Sequence, residues 1–96
     1  KLSLNNNKLT DVSGLEKLTQ LRDLRLMGNQ LTEVPKGLEK LTQLEMLFLN
    51  NNPLTSVKGL EKLTKLEVLW LNNNPDLTKA QIAELRKALP KCRIHW

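Results

Sequence analysis

A nine-residue frame, L-x-x-L-x-L-x-x-N, recurs along this chain of 96 residues and constrains its fold more than any other feature. It is LRDLRLMGN at 21–29, LEMLFLNNN at 44–52 and LEVLWLNNN at 66–74, and a truncated copy opens the chain at 2–7. The asparagine that ends each copy returns after 22 or 23 residues. Self-similarity at this period is typical of stacked repeats in which one short strand per coil lines a horseshoe.

Two kinds of segment alternate within each predicted coil. The leucines of the frame alternate with other residues, which is the period-2 pattern of a strand with one buried face. The segment GLEKLT is identical in three copies and places two leucines three positions apart, which predicts a short helical or 3₁₀ return. We therefore expect a single domain over 1–96, with coils at 1–20, 21–43, 44–65 and 66–89.

The fourth coil ends in a different pattern. Ile82 and Leu85 lie three residues apart on one face of an amphipathic segment, which predicts a capping helix over 79–89. Thr78 precedes Gln81 by three residues, the spacing of a capping box at a helix N-terminus. A terminal repeat needs such a cover because no further coil protects its apolar side.

A terminal strand is expected at 91–95, after the capping helix. Counting 23 residues on from Leu69 and Leu71 gives Cys92 and Ile94, so Cys92 is expected in a leucine position of the core. A buried thiol in such a position is inert rather than nucleophilic. As the single cysteine it forms no internal disulfide, and it leaves the cellular compartment open.

Composition excludes several functional classes. The net charge is +5, but the Glu-Lys pairs of the GLEKLT copies look like a solvated face, so we expect no nucleic-acid partner. No apolar run of about 18 residues occurs, so no membrane span is expected. The single histidine has no spaced Cys or His to complete a metal site, and no phosphate loop or G-x-S-x-G motif is present. We therefore expect no cofactor, no metal and no enzymatic activity.

The frames at 21–29, 44–52 and 66–74 resemble those of the leucine-rich repeat superfamily. The 22–23-residue period and the short GLEKLT return are most similar to its bacterial, internalin-like branch, and the resemblance covers essentially the whole chain. It implies an α/β fold: a right-handed solenoid with a parallel sheet on the concave face and short helical or 3₁₀ returns on the convex face. It also implies protein–protein recognition through the concave face.

The asparagine at the end of each frame is expected to be structural. An inward-pointing amide can satisfy backbone groups of the turn and of the adjacent coil. Asn51 and Asn73, by contrast, are expected to be solvated turn residues. The predicted ladder consists of Asn7, Asn29, Asn52 and Asn74.

The outward positions of the strands vary from coil to coil while the frame repeats, which favours a partner-facing role for them. An apolar centre with Trp and Arg inside a polar rim has the composition of a binding hot spot. We expect Arg93 to lie beside the ring of Trp70, where it could stack on the indole. The predicted partner-binding residues are Asp23, Arg25, Met27, Met46, Phe48, Asn50, Val68, Trp70, Asn72, Arg93 and His95.

Three functions remain open from the sequence. The first is a non-catalytic module that binds a protein partner of unknown identity through the concave sheet face. The second is a designed or consensus repeat scaffold without a native ligand, and the third is a recognition fragment of a larger enzyme or effector. The chain begins inside a repeat without an initiator Met, which indicates a fragment, and its uncapped N-terminal edge around Leu2 and Leu4 is expected to favour self-association.

Overall fold

A computed structural model describes residues 1–96. Three 3₁₀ turns, at Leu15–Lys17, Leu38–Lys40 and Leu60–Lys62, return the chain between strands, and one α-helix, α1, covers Lys79–Ala88. The five strands are β1 at Leu2–Ser3, β2 at Asp23–Arg25, β3 at Met46–Phe48, β4 at Val68–Trp70 and β5 at Arg93–His95.

All five strands form one parallel sheet in the order β1-β2-β3-β4-β5. Each of the three inner strands therefore pairs with the strands of the coils before and after it, and the return segments cross on the other side. Parallel pairing requires such crossovers, since a tight hairpin can join only antiparallel strands. The predicted architecture, a parallel sheet with short returns and a helix at the C-terminal end, is confirmed.

The core is a stack of leucines between the sheet and the returns. Twenty buried hydrophobic residues form one continuous cluster, and Leu24, Leu47 and Leu69 pair across β2, β3 and β4 with no exposed surface. Each coil buries its leucines only against its neighbours, because a solenoid is built from nearest-neighbour contacts.

The three 3₁₀ turns explain the glycine of GLEKLT. Gly14, Gly37 and Gly59 precede them with φ of 84°, 88° and 103°, in the left-handed region. Residues with a side chain rarely adopt this conformation, so glycine is required where the chain bends into the turn.

Helix α1 is capped as its sequence predicts. The Thr78 hydroxyl accepts the Gln81 amide N–H at 3.2 Å, and the Gln81 side chain accepts the Thr78 N–H at 2.9 Å. The helix ends at Ala88, one residue earlier than predicted. Leu89 leaves helical geometry at φ −125° and ψ 65°, because the ring of the following Pro90 disfavours the helical conformation for the residue before it.

The register of β5 differs from the prediction. Arg93 pairs with Val68 and Ile94 pairs with Leu69, so corresponding residues are 25 positions apart rather than 23. Ile94 therefore occupies the position that corresponds to Leu69, where Cys92 was expected. The physical reason is that α1 needs more chain than a 3₁₀ turn to span the same return, so the strand after it starts later.

Candidate protein-binding face

Pleating exposes alternate strand residues on the concave face, where strand register aligns them in columns. The first column holds Asp23, Met46, Val68 and Arg93. The central column holds Arg25, Phe48, Trp70 and His95. Beyond the strand ends, continuation of the same register gives a third column of Asn5, Met27, Asn50 and Asn72.

The central column is a continuous stack across four strands. The rings of Phe48 and Trp70 are parallel within 7°, with centroids 6.1 Å apart. The rings of Trp70 and His95 are parallel within 9°, with centroids 3.8 Å apart. At the other end the guanidinium carbon of Arg25 lies 4.6 Å from the Phe48 centroid, within the range of a cation–π contact.

Arg25 is held in this position by Asp23 on the same strand. Its Nε donates to Oδ1 at 3.1 Å and its Nη2 donates to Oδ2 at 3.2 Å, a two-point contact that fixes the plane of the guanidinium. The hydrogen bond to Asp23 raises the pKa of Arg25 above its ordinary value. This is the one ion pair of the chain, and it leaves Asp23 already partnered.

The expected contact between Arg93 and Trp70 is wrong. Arg93 lies beside Val68 in the first column, and His95 takes the place next to Trp70. The cause is the two-residue shift of β5. Alternation alone could not have revealed it, because Cys92 and Ile94 both lie between polar residues.

The apolar centre assembles as the frame predicts. Met46 pairs with Val68 and Phe48 pairs with Trp70, and all four side chains are partly exposed. Met27 is also partly exposed, one column away. These five residues form an apolar patch, with the Asp23–Arg25 pair on one side and β5 on the other.

The third column is less accessible than expected. Asn50 is only 9% exposed, and its Oδ1 is enclosed without a hydrogen-bond partner, as is Oδ1 of Asn72. In the first coil, Oδ1 of Asn5 accepts the Met27 N–H at 2.9 Å. The expectation that Asn50 lies open to a partner is therefore wrong.

Three members of the predicted ladder are buried and bridge coils. Nδ2 of Asn52 donates to the carbonyl of Leu49 in its own coil and to that of Leu26 in the coil before, both at 3.0 Å. Its Oδ1 accepts the Leu31 N–H at 3.2 Å. Asn29 and Asn74 make the same set of bonds.

Asn7 departs from the ladder. Its side chain is exposed and donates to the carbonyl of Asn5 at 3.1 Å, so the expectation of a buried amide at this position is wrong. Only its backbone N–H joins the ladder, donating to Oδ1 of Asn29 at 2.9 Å. The physical reason is that the described residues contain no earlier coil whose carbonyls its amide could reach.

The remaining candidate chemistry is sparse. Cys92 is half-buried against the core, and burial raises the pKa of its thiol, which lowers its reactivity near neutral pH. No group of three or more His, Cys, Asp or Glu side chains is arranged to hold a metal ion. The one helix is too short and too polar to cross a membrane.

Comparison with models of protein families identifies the family to which the repeat belongs. A family model described as leucine-rich repeats in two copies matches residues 1–40 and 42–87. The chain belongs to the leucine-rich repeat family. Domains of this family generally mediate protein–protein interaction, and they are typically non-catalytic. A search of curated proteins finds no match.

Solved structures place this leucine-rich repeat chain beside bacterial members of the family. It superposes on internalin C2 of Listeria monocytogenes with a TM-score of 0.81 at 27% identity, and on the internalin inlF of the same organism with 0.77 at 32%. It is also similar to a leucine-rich repeat protein of Leptospira interrogans, with a TM-score of 0.71 at 30% identity. At least 95% of the chain is covered, but it spans only 26–39% of those proteins. The resemblance to the internalin-like branch is confirmed.

Proposed function

We propose that this chain is a non-catalytic protein-binding module that contacts its partner through the concave sheet face. The observation that carries the proposal is the central column, in which Phe48, Trp70 and His95 stack across neighbouring strands at positions that the repeat frame leaves variable. Aromatic residues in a partly exposed apolar patch with charged neighbours are the residue types that dominate binding energy at protein interfaces.

The dimensions of the concave sheet limit the size of the partner surface that it can bind. Strands of two or three residues rise about 10 Å, and five strands at a spacing of about 4.8 Å extend about 24 Å. A standard interface covers about 800 Å² on each partner, which is more than this sheet presents. The face therefore fits a short segment or loop of a partner, and in a longer protein of the family further coils would extend it.

Selection from a random peptide display library tests this function. Peptides enriched on the native chain are measured against Phe48→Ala and Trp70→Ala, each checked for folding by circular dichroism. We expect either substitution to weaken binding at least about 30-fold, the equivalent of a hot-spot loss of about 2 kcal/mol.

The matched control is Leu18→Ala, which removes an apolar side chain that is 42% exposed at the N-terminal end of the stack and outside the three columns. It should leave peptide binding unchanged. Enriched peptides that bind both concave variants as well as the native chain would contradict the proposal, and so would a selection that enriches none.

A second candidate, a consensus scaffold without a native ligand, is favoured by the GLEKLT copies. The structure requires their glycine and leucines, but Lys17, Lys40 and Lys62 are exposed and make no side-chain contact that would require their identity. Identity at unconstrained positions is typical of recent duplication or design. This candidate predicts no concave-dependent peptide in the same selection.

A further inference from the structure

We propose that the segment bound by the concave face is acidic, and that its carboxylates meet the end of the face formed by β4 and β5. This inference rests on the proposed function above and specifies the chemistry of the partner. The partner is an acidic peptide segment with an apolar side chain, which packs on Met46 and Val68 in the first column.

The geometry of the stack determines what the rings offer. Trp70 lies between two parallel rings: His95 stacks closely on one side, with centroids 3.8 Å apart, and Phe48 lies offset on the other, with centroids 6.1 Å apart. Rings that stack from strand to strand present their edges, not their faces, to the space above the sheet. An aromatic edge carries the positive part of the ring quadrupole, whereas the face carries the negative part. The column therefore attracts carboxylate and carbonyl oxygens.

The same arrangement disfavours a nucleic acid. Single-stranded nucleic acids bind by stacking bases on exposed aromatic faces, and here the ring of Trp70 lies between the parallel rings of Phe48 and His95. A polyanion would then be attracted by charge alone.

Hydrogen-bond donors at the β5 end are free. The Arg93 side chain is exposed and has neither an ion pair nor a hydrogen bond within the chain. The indole N–H of Trp70 and the ring nitrogens of His95 make no hydrogen bond within the chain either. Asp23 is the only carboxylate in the three columns, and Arg25 already occupies it. The face thus has unmatched donors and no unmatched carboxylate.

The surroundings reinforce this sign of charge. The segment 76–96 carries five Lys or Arg residues against Asp76 and Glu84, a net charge of +3 out of +5 for the whole chain. Glu45 and Glu67 precede β3 and β4, at the edge of the sheet and outside the columns. Complementary charge across an interface speeds association and excludes wrong partners, which suits a small binding face.

The probes are three fluorescein-labelled peptides with the same apolar residues and with Glu, Gln or Lys between them. Each has about eight residues, enough to cross five strands when extended. Fluorescence anisotropy gives their affinities at about 50 mM and about 200 mM NaCl, a range over which exposed charge contacts weaken. We expect the Glu peptide to bind about tenfold tighter than the Gln peptide at low salt, with the Lys peptide weakest, and the difference to shrink at high salt.

Arg93→Gln is the diagnostic variant, and Lys87→Gln is its matched control. Both remove one positive charge from the C-terminal segment, but Lys87 lies in the last turn of α1, away from the sheet. Arg93→Gln should weaken the Glu peptide about tenfold and leave the Gln peptide unchanged, whereas Lys87→Gln should change either by less than about twofold.

The outcomes separate the two proposals. Equal affinity for the Glu and Gln peptides, with loss of both in Trp70→Ala, would overturn the acidic partner and leave the concave binding function standing. Insensitivity of all peptides to Trp70→Ala would overturn both. Equal effects of Arg93→Gln and Lys87→Gln, or displacement of the Glu peptide by a single-stranded DNA of equal charge, would indicate attraction by net charge and would also overturn the inference.

Discussion

The first coil and the third coil have nearly the same sequence and different environments. Between residues 1–20 and 46–65, 14 of 20 aligned positions are identical. Yet Leu18 is 42% exposed where Leu63 is 1% exposed, and Asn7 is exposed where Asn52 is 3% exposed. The difference comes from the neighbours, since the third coil is covered on both sides and the first on one. In a solenoid, burial belongs to the position in the stack as much as to the residue.

The largest expected contrast is between Leu47 and Leu2, which are aligned in the two coils. Leu47 has no exposed surface, so Leu47→Ala should lower the free energy of unfolding by about 2–5 kcal/mol. Leu2 is only partly buried, and Leu2→Ala should cost less than half as much. Urea melts of the two variants measure both values. Equal losses would contradict the claim that a leucine's contribution to stability depends on how many coils cover it.

The ladder gives the next contrast. Asn52→Ala would leave the buried Leu31 N–H without its acceptor, so it should cost about 1–3 kcal/mol. The carbonyls of Leu26 and Leu49 would each keep one of their two amide donors. Asn7→Ala removes only one exposed hydrogen bond and should cost less than about 0.5 kcal/mol. Thermal melts of both variants are the measurement. A large loss of stability in Asn7→Ala would show that the Asn7 side chain stabilises the first coil as Asn52 stabilises the third.

Substitution of the glycine before the 3₁₀ turn should cost the same stability in the first and third coils. Gly14 and Gly59 both have φ in the left-handed region, and an added Cβ would meet nothing within 4 Å at either position. The cost of alanine is then backbone strain alone, about 1–2 kcal/mol, and it should be the same in both coils. Matched melts of Gly14→Ala and Gly59→Ala test this. Unequal losses would mean that the neighbouring coils change the backbone strain of alanine at this position.

The smallest effect concerns the opposite end of the stack, where α1 provides a cover. Burial raises the pKa of the Cys92 thiol, so a smaller fraction is thiolate at any pH below that pKa than in a free cysteine. Reaction with Ellman's reagent near pH 8 should be slower than for a cysteine peptide, and the rate should approach the peptide's in urea. A native rate equal to that of the peptide would show that the cover is ineffective.

Much of the fold was predictable because its causes are local. The spacing of leucines determines the strands, and Gly14, Gly37 and Gly59 mark the bends before the returns. The capping box of α1 follows from Thr78 and Gln81 alone. None of these features depends on how many coils surround it.

The errors at Asn7 and in β5 share one cause, which is that both depend on neighbouring coils or on distances in space. Asn7 has the frame position of Asn52, but the described residues hold no earlier coil for its amide to bridge. The β5 register depends on how much chain α1 uses, which a sequence period does not contain. For the same reason the stacking of His95 on Trp70 was missed, although both residues were predicted to lie on the concave face.

The asparagine ladder also has a direction. Each buried amide serves the coil before its own: Asn74 donates to the carbonyl of Leu49 and accepts the N–H of Leu54, while nothing in its own coil performs this for the next. Removing the first coil would leave Oδ1 of Asn29 without the N–H groups of Asn7 and Leu9, and removing the last coil would leave the Leu54 N–H without Oδ1 of Asn74. What distinguishes the two ends is burial, since Leu18 and Asn7 of the first coil are exposed whereas α1 covers the last. Opening of the native state should therefore begin at Lys1, and amide hydrogens should exchange with solvent fastest in the first coil.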